Sequence, residues 1–184
     1  YLAPESTVKH LPAFADAVID FAERQEIRYD LVHSHYWLSG LVGLDLHEAW
    51  GVPHVTMFHT LGEIKNRASV SMKETSLRID SETRIIAEVD RVICATEAER
   101  TSIQVLYGAR PSSVAVIPLG VDLGRFQPQD KAAARAALGL KDERIVLFVG
   151  RIEPLKGIDI LINAAAMLDS GELHGSFFQR TVLL

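Results

Sequence analysis

Hydrophobic positions along this chain follow two alternating periods. Phe14, Val18, Phe21 and Ala22 have the i, i+4, i+7, i+8 spacing of one face of an amphipathic helix. Further along, short apolar runs alternate with longer stretches of helical pattern. The runs predict strands at 29–35, 54–59, 91–96, 113–118 and 144–150. The stretches between them predict helices at 39–50, 73–89, 97–107, 130–138 and 158–168, and an irregular polar segment at 60–72.

This alternation predicts an α/β fold with mostly parallel sheets, since a helix between successive strands makes a right-handed crossover. The strands lack polar alternation, which indicates that both faces are covered. Thr96 and Glu99 form a capping box, and Gly108 ends the helix that follows. We divide the chain into a first domain at 1–119, a linker and connecting helix at 120–142, and the start of a second domain at 143–184.

Composition narrows the possible partners and compartments. The chain has 184 residues, 48% of them hydrophobic, and a formal net charge of −5 without a long basic run, so no nucleic-acid partner is expected. The single cysteine, Cys94, lies in an apolar run, which predicts a small core residue and a cytoplasmic, reducing compartment. The sequence shows no signal peptide and no membrane-spanning run. Because it starts at Tyr1 without a methionine, we expect a fragment.

Polar residues follow the ends of three predicted strands, where open parallel sheets bind ligands. The first group lies in HSHYWLSG (33–40). Strand alternation places His33 and His35 on one side, so a metal pair is one interpretation, although no acidic or cysteine ligand is adjacent. The other interpretation is packing, in which Trp37 and Leu38 anchor the strand-to-helix turn; it applies to Trp37 more than to Tyr36.

The second group lies in FHTLGEIKN (58–66). His59 and Thr60 end the second predicted strand, and Lys65 and Asn66 follow in the loop. An imidazole, a hydroxyl, an ammonium and an amide together suit a hydroxyl-rich or phosphorylated ligand. The alternative is a solvated loop.

The third group lies in VGRIEPLKG (149–157), between the fifth strand and the last helix. Amide N–H groups at a helix N-terminus favour anions, so Gly150, Arg151 and Lys156 together could hold two linked phosphates. The spacing fits neither the GxxxxGK[ST] loop nor the GxGxxG loop. Two ordinary surface cations are the alternative.

Five motifs resemble, in order, the retaining GT-B glycosyltransferases of family 4. They are HSHYWLSG, FHTLGEIKN, SETRIIAEVDRVICATEAE, VAVIPLGVDLGRFQP and LFVGRIEPLKG. Within that family the sequence is similar to the inositol-phosphate N-acetylglucosaminyltransferases of mycothiol synthesis and to sucrose-phosphate synthases. The resemblance implies two Rossmann-like domains, of which the first mainly holds the acceptor and the second the nucleotide-sugar.

The resemblance implies a donor site and catalytic residues. Arg151 and Lys156, next to Gly150, would hold the donor diphosphate in place of a metal, so no cofactor is expected. His59 would lie near the transferred sugar and the acceptor. These residues would move a hexosyl unit from a nucleoside diphosphate sugar, with UDP as the expected nucleotide, and retain the anomeric configuration.

The resemblance also implies an acceptor site. Tyr36, Thr60 and Arg84 match positions that hold the acceptor phosphate in the inositol-phosphate enzymes, and Lys65 and Asn66 repeat a pair in the same loop. The expected acceptor is a small hydroxyl-rich molecule, with an inositol phosphate or a sugar phosphate as candidates. The resemblance leaves peripheral membrane contact open and does not predict an oligomeric state.

The sequence departs from the family pattern in several places. The Gly-rich donor loop would precede Tyr1, and the EPFG-like glutamate motif would lie beyond Leu184; Glu153 is no substitute for it. The tail after residue 168 does not resemble the family, and its FF and VLL need a surface to pack against. We therefore expect this chain to be inactive alone. A non-catalytic remnant and a nucleotide-sugar epimerase of the same fold are the alternative functions.

Overall fold

The computed structural model describes residues 4–68, 73–152, 156–169 and 181–183. Glu153 and the FF pair of the tail, considered above, lie outside these ranges. The chain forms two compact units, Tyr1–Gly120 and Val121–Leu184.

The first unit contains a parallel sheet whose four strands lie side by side in chain order. The strands are β1 Val32–His35, β2 His54–Met57, β3 Arg91–Cys94 and β4 Val114–Val116. The pairing of β1 with β2 runs from Val32 opposite His54 to His35 opposite Met57, so the two strands end at the same level. The residues that follow them in the chain therefore start from one edge of the sheet.

The helices of the first unit largely follow the predicted order. They are α1 Pro4–Thr7, α2 Leu11–Arg24, α3 Trp37–Trp50, α4 Gly62–Ala68, α5 Ser76–Glu88 and α6 Glu97–Tyr107, with 3₁₀ turns at Val8–His10 and Pro111–Ser113. Both predicted bounds of α6 are confirmed: the Thr96 hydroxyl accepts from Glu99 N, and Gly108 ends the helix with φ 69°.

The expectation of an irregular segment at 60–72 is wrong for residues 62–68, which form α4, while 69–72 lie outside the described ranges. The first N–H groups of α4 have partners from distant elements. Gly62 N donates to the Glu82 carboxylate at 2.9 Å, and Glu63 N donates to the Tyr107 hydroxyl at 3.0 Å. These partners, on α5 and α6, satisfy two of the N–H groups that a helix start leaves without a partner in the helix.

The core of the first unit lies between the sheet and the helices that connect its strands. Its largest fully buried apolar side chains are those of Trp37, Phe58, Leu61, Ile85 and Ile103. The burial of Trp37 agrees with its packing interpretation. Cys94 is a buried free thiol, as predicted.

The predicted amphipathic helix is confirmed as α2, but only part of the predicted face, Val18 and Ala22, is packed. Phe14 and Phe21 are exposed, whereas Leu11, Ala15 and Ala22 are buried. Leu11 and Ala15 pack in a cluster with Val42 and Leu46 of α3. The apolar spacing thus predicted the helix and part of its packed face.

The described residues of the second unit form a parallel pair of strands and two helices. They are α7 Lys131–Ala137, β5 Arg144–Val146, α8 Ile158–Asp169 and β6 Thr181–Leu183. β5 ends at Val146, before the predicted residue 150, and its partner β6 lies in the tail, where no element was predicted. Within the described ranges, no helix has the length and apolar character needed to cross a membrane.

Candidate functional site

Two residues at the edge formed by the ends of β1 and β2 have unusual backbone conformations. Tyr36 follows β1 with φ 75° and ψ 156°, a region occupied almost only by glycine, and His59 follows β2 with φ 61°. Thr60 N donates to Phe58 O at 2.7 Å, which closes a strained γ-turn around His59. Such conformations cost about 1–3 kcal/mol each and cluster at functional sites.

The conformation of Tyr36 is held by bonds to both neighbouring elements. Its N–H donates to Met57 O at 2.9 Å, and its carbonyl accepts from Gly40 N, also at 2.9 Å, as α3 begins. The next side chain, Trp37, is completely buried. The sheet and the helix start therefore fix where the Tyr36 ring lies.

Three histidines lie side by side at this edge. The His33 and His35 ring centroids are 4.3 Å apart, and His35 Nδ1 is 2.7 Å from His59 Nε2. Burial lowers the pKa of His35, and His33 and His59 lower it further by like charge. Among the described residues, no group of three or more His, Cys, Asp or Glu side chains could hold a metal ion. The structure thus shows a hydrogen bond from the His33–His35 pair to His59, through His35, and not a metal site.

A buried arginine completes this site. Arg78 of α5 donates from Nη2 to the carbonyl and hydroxyl oxygens of Thr60 at 3.0 and 3.1 Å, and its guanidinium lies 5.1 Å from the centroid of the Tyr36 ring. Its side chain is only 2% exposed. The structure therefore joins Tyr36 and Thr60, both predicted site residues, through a cation that the sequence analysis did not select.

Glu82 and Tyr107 support Arg78 from the core. The fully buried Glu82 carboxylate accepts from Arg78 Nε at 2.8 Å, from Gly62 N at 2.9 Å and from the Tyr107 hydroxyl at 2.5 Å. Burial and then the bond to Glu82 raise the pKa of Tyr107, so this hydroxyl keeps its proton. Burial alone would lower the pKa of Arg78, but its bonds to carboxylates raise it, so it stays charged.

Lys65 and Asn66, predicted to bind the acceptor, lie on α4 and contact Glu74. Lys65 Nζ forms a close ion pair with the Glu74 carboxylate, and Asn66 Oδ1 accepts from Glu74 N at 2.6 Å. Glu74 also contacts Arg78 Nη1 at 3.1 Å. The ammonium of Lys65 is thereby linked to the guanidinium of Arg78.

Arg84, the predicted phosphate-binding arginine, has a different partner. It lies on α5 and pairs with Glu88 at 3.0 Å on an exposed surface. This pairing raises the pKa of Arg84, and Asp45 and Glu48 of α3 add to the rise. The phosphate-binding role of Arg84 stays a prediction, and the arginine of α5 that donates to Thr60 is Arg78.

A sequence signal for Arg78 does exist. Arg78, Glu82, Ile85, Ile86 and Val89 follow the i, i+4, i+7, i+8, i+11 spacing of one helix face, and all five are buried. Lys, Glu, Arg and Asp are almost never fully buried unless they are paired. An opposite-charge pair on an apolar stripe therefore indicates a buried ion pair. This pattern distinguishes Arg78 from Arg84 as the buried arginine of α5.

The predicted donor residues lie in the second unit. Gly150 and Arg151 follow β5, Lys156 lies shortly before α8, and all three are exposed. Gly157, with φ 66°, leads directly into α8, whose 12 residues supply the expected helix N-terminus. The role of these residues in diphosphate binding stays a prediction.

Comparisons with known proteins identify related sequences. Residues 2–125 match the family model described as Glycosyltransferase Family 4. The chain is 46% identical over 171 residues to a D-inositol 3-phosphate glycosyltransferase of Actinosynnema mirum, covering 91% of this chain and 41% of that protein. It is 50% identical over 143 residues to a protein of the same name from Mycobacterium bovis, covering 76% and 30%. The chain thus spans less than half the length of these curated relatives.

Solved structures show a similar fold. Sucrose-phosphate synthase from Thermosynechococcus elongatus matches the whole chain and 51% of its own, at 27% identity and a TM-score of 0.78. Anabaena HepE in complex with UDP-glucose matches 92% of this chain and 50% of its own, at a TM-score of 0.66. At 18% identity, the second likeness concerns the fold alone.

Proposed function

This chain belongs to glycosyltransferase family 4, and from that premise we propose that it forms the acceptor-binding part and the first donor-binding elements of a longer retaining glycosyltransferase. The enzyme would move a hexosyl unit from a UDP-sugar to a hydroxyl group of a small phosphorylated acceptor. The family and the α/β fold of GT-B type, both predicted from the five motifs, are confirmed by the family match and the likeness to sucrose-phosphate synthase.

The observation that carries the proposal is the buried Arg78 beside Thr60 and Tyr36. A guanidinium is suited to phosphate because its planar donors match two phosphate oxygens at once. Arg78 lies where β2 ends, the usual ligand-binding edge of a parallel sheet. An inositol phosphate is the favoured acceptor, because relatives at 46% and 50% identity carry the name D-inositol 3-phosphate glycosyltransferase.

In the proposed reaction, an acceptor hydroxyl oxygen attacks the anomeric carbon of the donor sugar. The bond from that carbon to the diphosphate oxygen breaks, and the diphosphate leaves with the electron pair. Attack and departure occur on the same face of the sugar, so the hydroxyl proton passes to a diphosphate oxygen and the configuration is retained. Arg151, Lys156 and the N-terminus of α8 would stabilise the charge that develops on the leaving group.

His59 is proposed to contact the transferred sugar and the acceptor. Its backbone is held by the γ-turn and its ring by the bond to His35 Nδ1 at 2.7 Å, so the ring is fixed before ligands arrive. Preorganised groups of this kind are effective because they need no rearrangement during the reaction. No cofactor is proposed, and a cytoplasmic location stays a prediction based on the cysteine content.

Calorimetric titration of the chain tests the acceptor proposal directly. We expect D-inositol 3-phosphate to bind about tenfold or more tightly than unphosphorylated inositol, since charge-assisted bonds to one phosphate contribute roughly 1.5–3 kcal/mol. Equal affinity for the two ligands would contradict the proposal.

A sugar phosphate is the second candidate acceptor, favoured by the likeness to sucrose-phosphate synthase. A hexose 6-phosphate therefore forms a third arm of the titration. If it binds more tightly than the inositol phosphate, the acceptor is a sugar phosphate and the phosphate-binding role of Arg78 is unchanged.

A further inference from the structure

Two carboxylates contact Arg78, and the first is built into the core. Glu82 is fully buried, and its two oxygens accept from Arg78 Nε, Gly62 N and the Tyr107 hydroxyl. Removing this carboxylate would leave three buried donors without their acceptor. Glu82 is therefore a fixed support, and no ligand can take its place.

The second carboxylate, that of Glu74, is held differently. Its side chain is 17% exposed, and within the part of the chain that the structure describes its carboxylate contacts two cations, Arg78 Nη1 at 3.1 Å and Lys65 Nζ. Burial would raise the pKa of Glu74, but the bond to Lys65 and the charge of Arg78 lower it, so the group is ionised at neutral pH. Its backbone is anchored separately, through the bond from Glu74 N to Asn66 Oδ1.

An acceptor phosphate would need the donors that Glu74 now uses. Arg78 Nη2 donates to Thr60 and Nε donates to Glu82. The third nitrogen, Nη1, is the one that the partly exposed Glu74 contacts. The ammonium of Lys65 is joined to the same carboxylate. A carboxylate and a phosphate both carry negatively charged oxygens that pair with guanidinium and ammonium groups. The two therefore compete for the position between Arg78 and Lys65.

We propose that Glu74 is a specificity-determining residue of the proposed acceptor site, whose carboxylate lies between Arg78 and Lys65 until a phosphate group displaces it. This inference rests on the proposed acceptor site. A phosphate carries a charge of about −1.5 to −2 at neutral pH and can compensate both cations, whereas a neutral hydroxyl compound cannot. Glu74 thus weakens binding of every ligand at this position and excludes those that lack the charge to replace it.

The inference predicts the sign of a mutational effect. Glu74→Gln keeps the size of the side chain and its backbone bond to Asn66 but removes the competing charge. We expect inorganic phosphate and D-inositol 3-phosphate to bind the variant about tenfold more tightly than the wild-type chain, because one charge-assisted contact no longer has to be broken. A binding residue would show the opposite effect.

Glu88→Gln is the matched control for charge. Glu88 lies on α5, is exposed and pairs with Arg84, and its substitution removes the same unit of charge. Exposed charges are screened by solvent and salt, so we expect phosphate affinity to change less than about twofold. A gain equal to that of Glu74→Gln would mean that net charge alone controls binding, and would overturn the inference.

The experiment is a calorimetric titration of the full chain with inorganic phosphate at low salt, with thermal unfolding to verify that each variant folds. If Glu74→Gln does not fold, Glu74→Asp tests the same point, since its carboxylate is one methylene shorter and cannot bridge both cations. Unchanged or weaker phosphate binding by the folded variant overturns the inference while inositol phosphate selectivity of the wild type still supports the proposed function. Absence of phosphate and inositol phosphate binding in every protein overturns both.

Discussion

Arg78 Nη2 donates to both oxygen atoms of Thr60, at 3.0 Å to the carbonyl and 3.1 Å to the hydroxyl. The contact joins α5 to the turn after β2, where His59 adopts its positive φ. One buried guanidinium therefore links α5 to this turn and places a positive charge where β2 ends. The acceptor side of the proposed enzyme depends on this relationship.

Arginine-to-lysine substitution on α5 distinguishes the two candidate phosphate-binding residues. Lysine keeps the charge of Arg78 but loses the fork that contacts Thr60, so Arg78→Lys should weaken D-inositol 3-phosphate binding about tenfold or more. Unphosphorylated inositol should be affected little. Calorimetric titration with both ligands measures the difference.

The same substitution at Arg84 is the control. Arg84 pairs with Glu88 on the surface, so Arg84→Lys should change affinity for either ligand less than about twofold. A selective loss of inositol phosphate binding in Arg84→Lys, with none in Arg78→Lys, would restore the assignment made from the sequence.

The proposed donor cations predict a kinetic effect. Arg151→Ala or Lys156→Ala in the longer enzyme should lower kcat/KM for the nucleotide-sugar by ~100-fold or more, because each cation would meet charge that develops in the transition state. Steady-state kinetics with a UDP-sugar measures this. The exposed Arg100, which pairs with Glu97 on α6, supplies the control variant Arg100→Ala, with activity expected to stay near that of wild type. Unchanged kcat/KM in both donor variants would contradict the diphosphate role.

Metal independence is a separate prediction about the same reaction. If Arg151 and Lys156 compensate the diphosphate charge, a chelator such as EDTA should leave turnover unchanged to within about twofold. The measurement compares initial rates with excess EDTA and with added magnesium. Loss of activity that magnesium restores would contradict the assignment of the two cations.

The residues that the sequence could place are those that follow local rules. The spacing of apolar runs predicted the four strands of the first sheet, and Thr96 and Gly108 bounded α6 because capping acts over a few residues. Tyr36 and Thr60 were found because strand ends are visible in the pattern. These signals require no knowledge of distant contacts.

The features that sequence analysis missed depend on long-range contacts. α4 begins where Glu82 and Tyr107 supply its first hydrogen-bond acceptors, 20 and 44 positions away along the chain. The helical spacing of Arg78 and Glu82 indicates only a buried ion pair; that Arg78 reaches Thr60, 18 positions earlier, depends on the packed position of α5. Tertiary contacts, and not local propensity, determine both features.

His54 predicts a specific pH dependence of stability. Its Nε2 lies 2.8 Å from Ser34 Oγ, which donates onward to Thr56, so the imidazole is the donor at Nε2. Its Nδ1 is buried and has no hydrogen-bond partner among the described residues. Burial, with a smaller effect of His47, lowers the pKa of His54 to about 4, against an opposing effect of Asp90. The folded state therefore favours the neutral imidazole.

Because the folded pKa lies below the usual 6.5, the contribution of His54 is complete above pH 6.5 and is lost as the pH falls toward 4. The free energy of unfolding should fall by about 3 kcal/mol over this interval through His54 alone. Denaturant titrations of wild type and His54→Gln at several pH values isolate this part, since glutamine can donate to Ser34 but does not titrate. Parallel pH profiles for the two proteins would refute the assignment.

The His54 ring also explains a glycine inside α3. A Cβ atom built on Gly43 would lie 2.4 Å from both Cε1 and Nε2 of His54, and the ring is fully buried and bonded to Ser34. Gly43→Ala should therefore lower the free energy of unfolding by about 1–3 kcal/mol, although alanine is the better helix former. Gly120→Ala, where no heavy atom lies within 4 Å of the added Cβ, should change it by less than about 0.5 kcal/mol. Denaturant unfolding measures the free energy of unfolding of the two glycine variants. Gly43→Ala in a His54→Ala background then completes a double-mutant cycle. The cost should largely disappear when the ring is absent, and an equal cost in both backgrounds would show that the ring is not what excludes a side chain at Gly43.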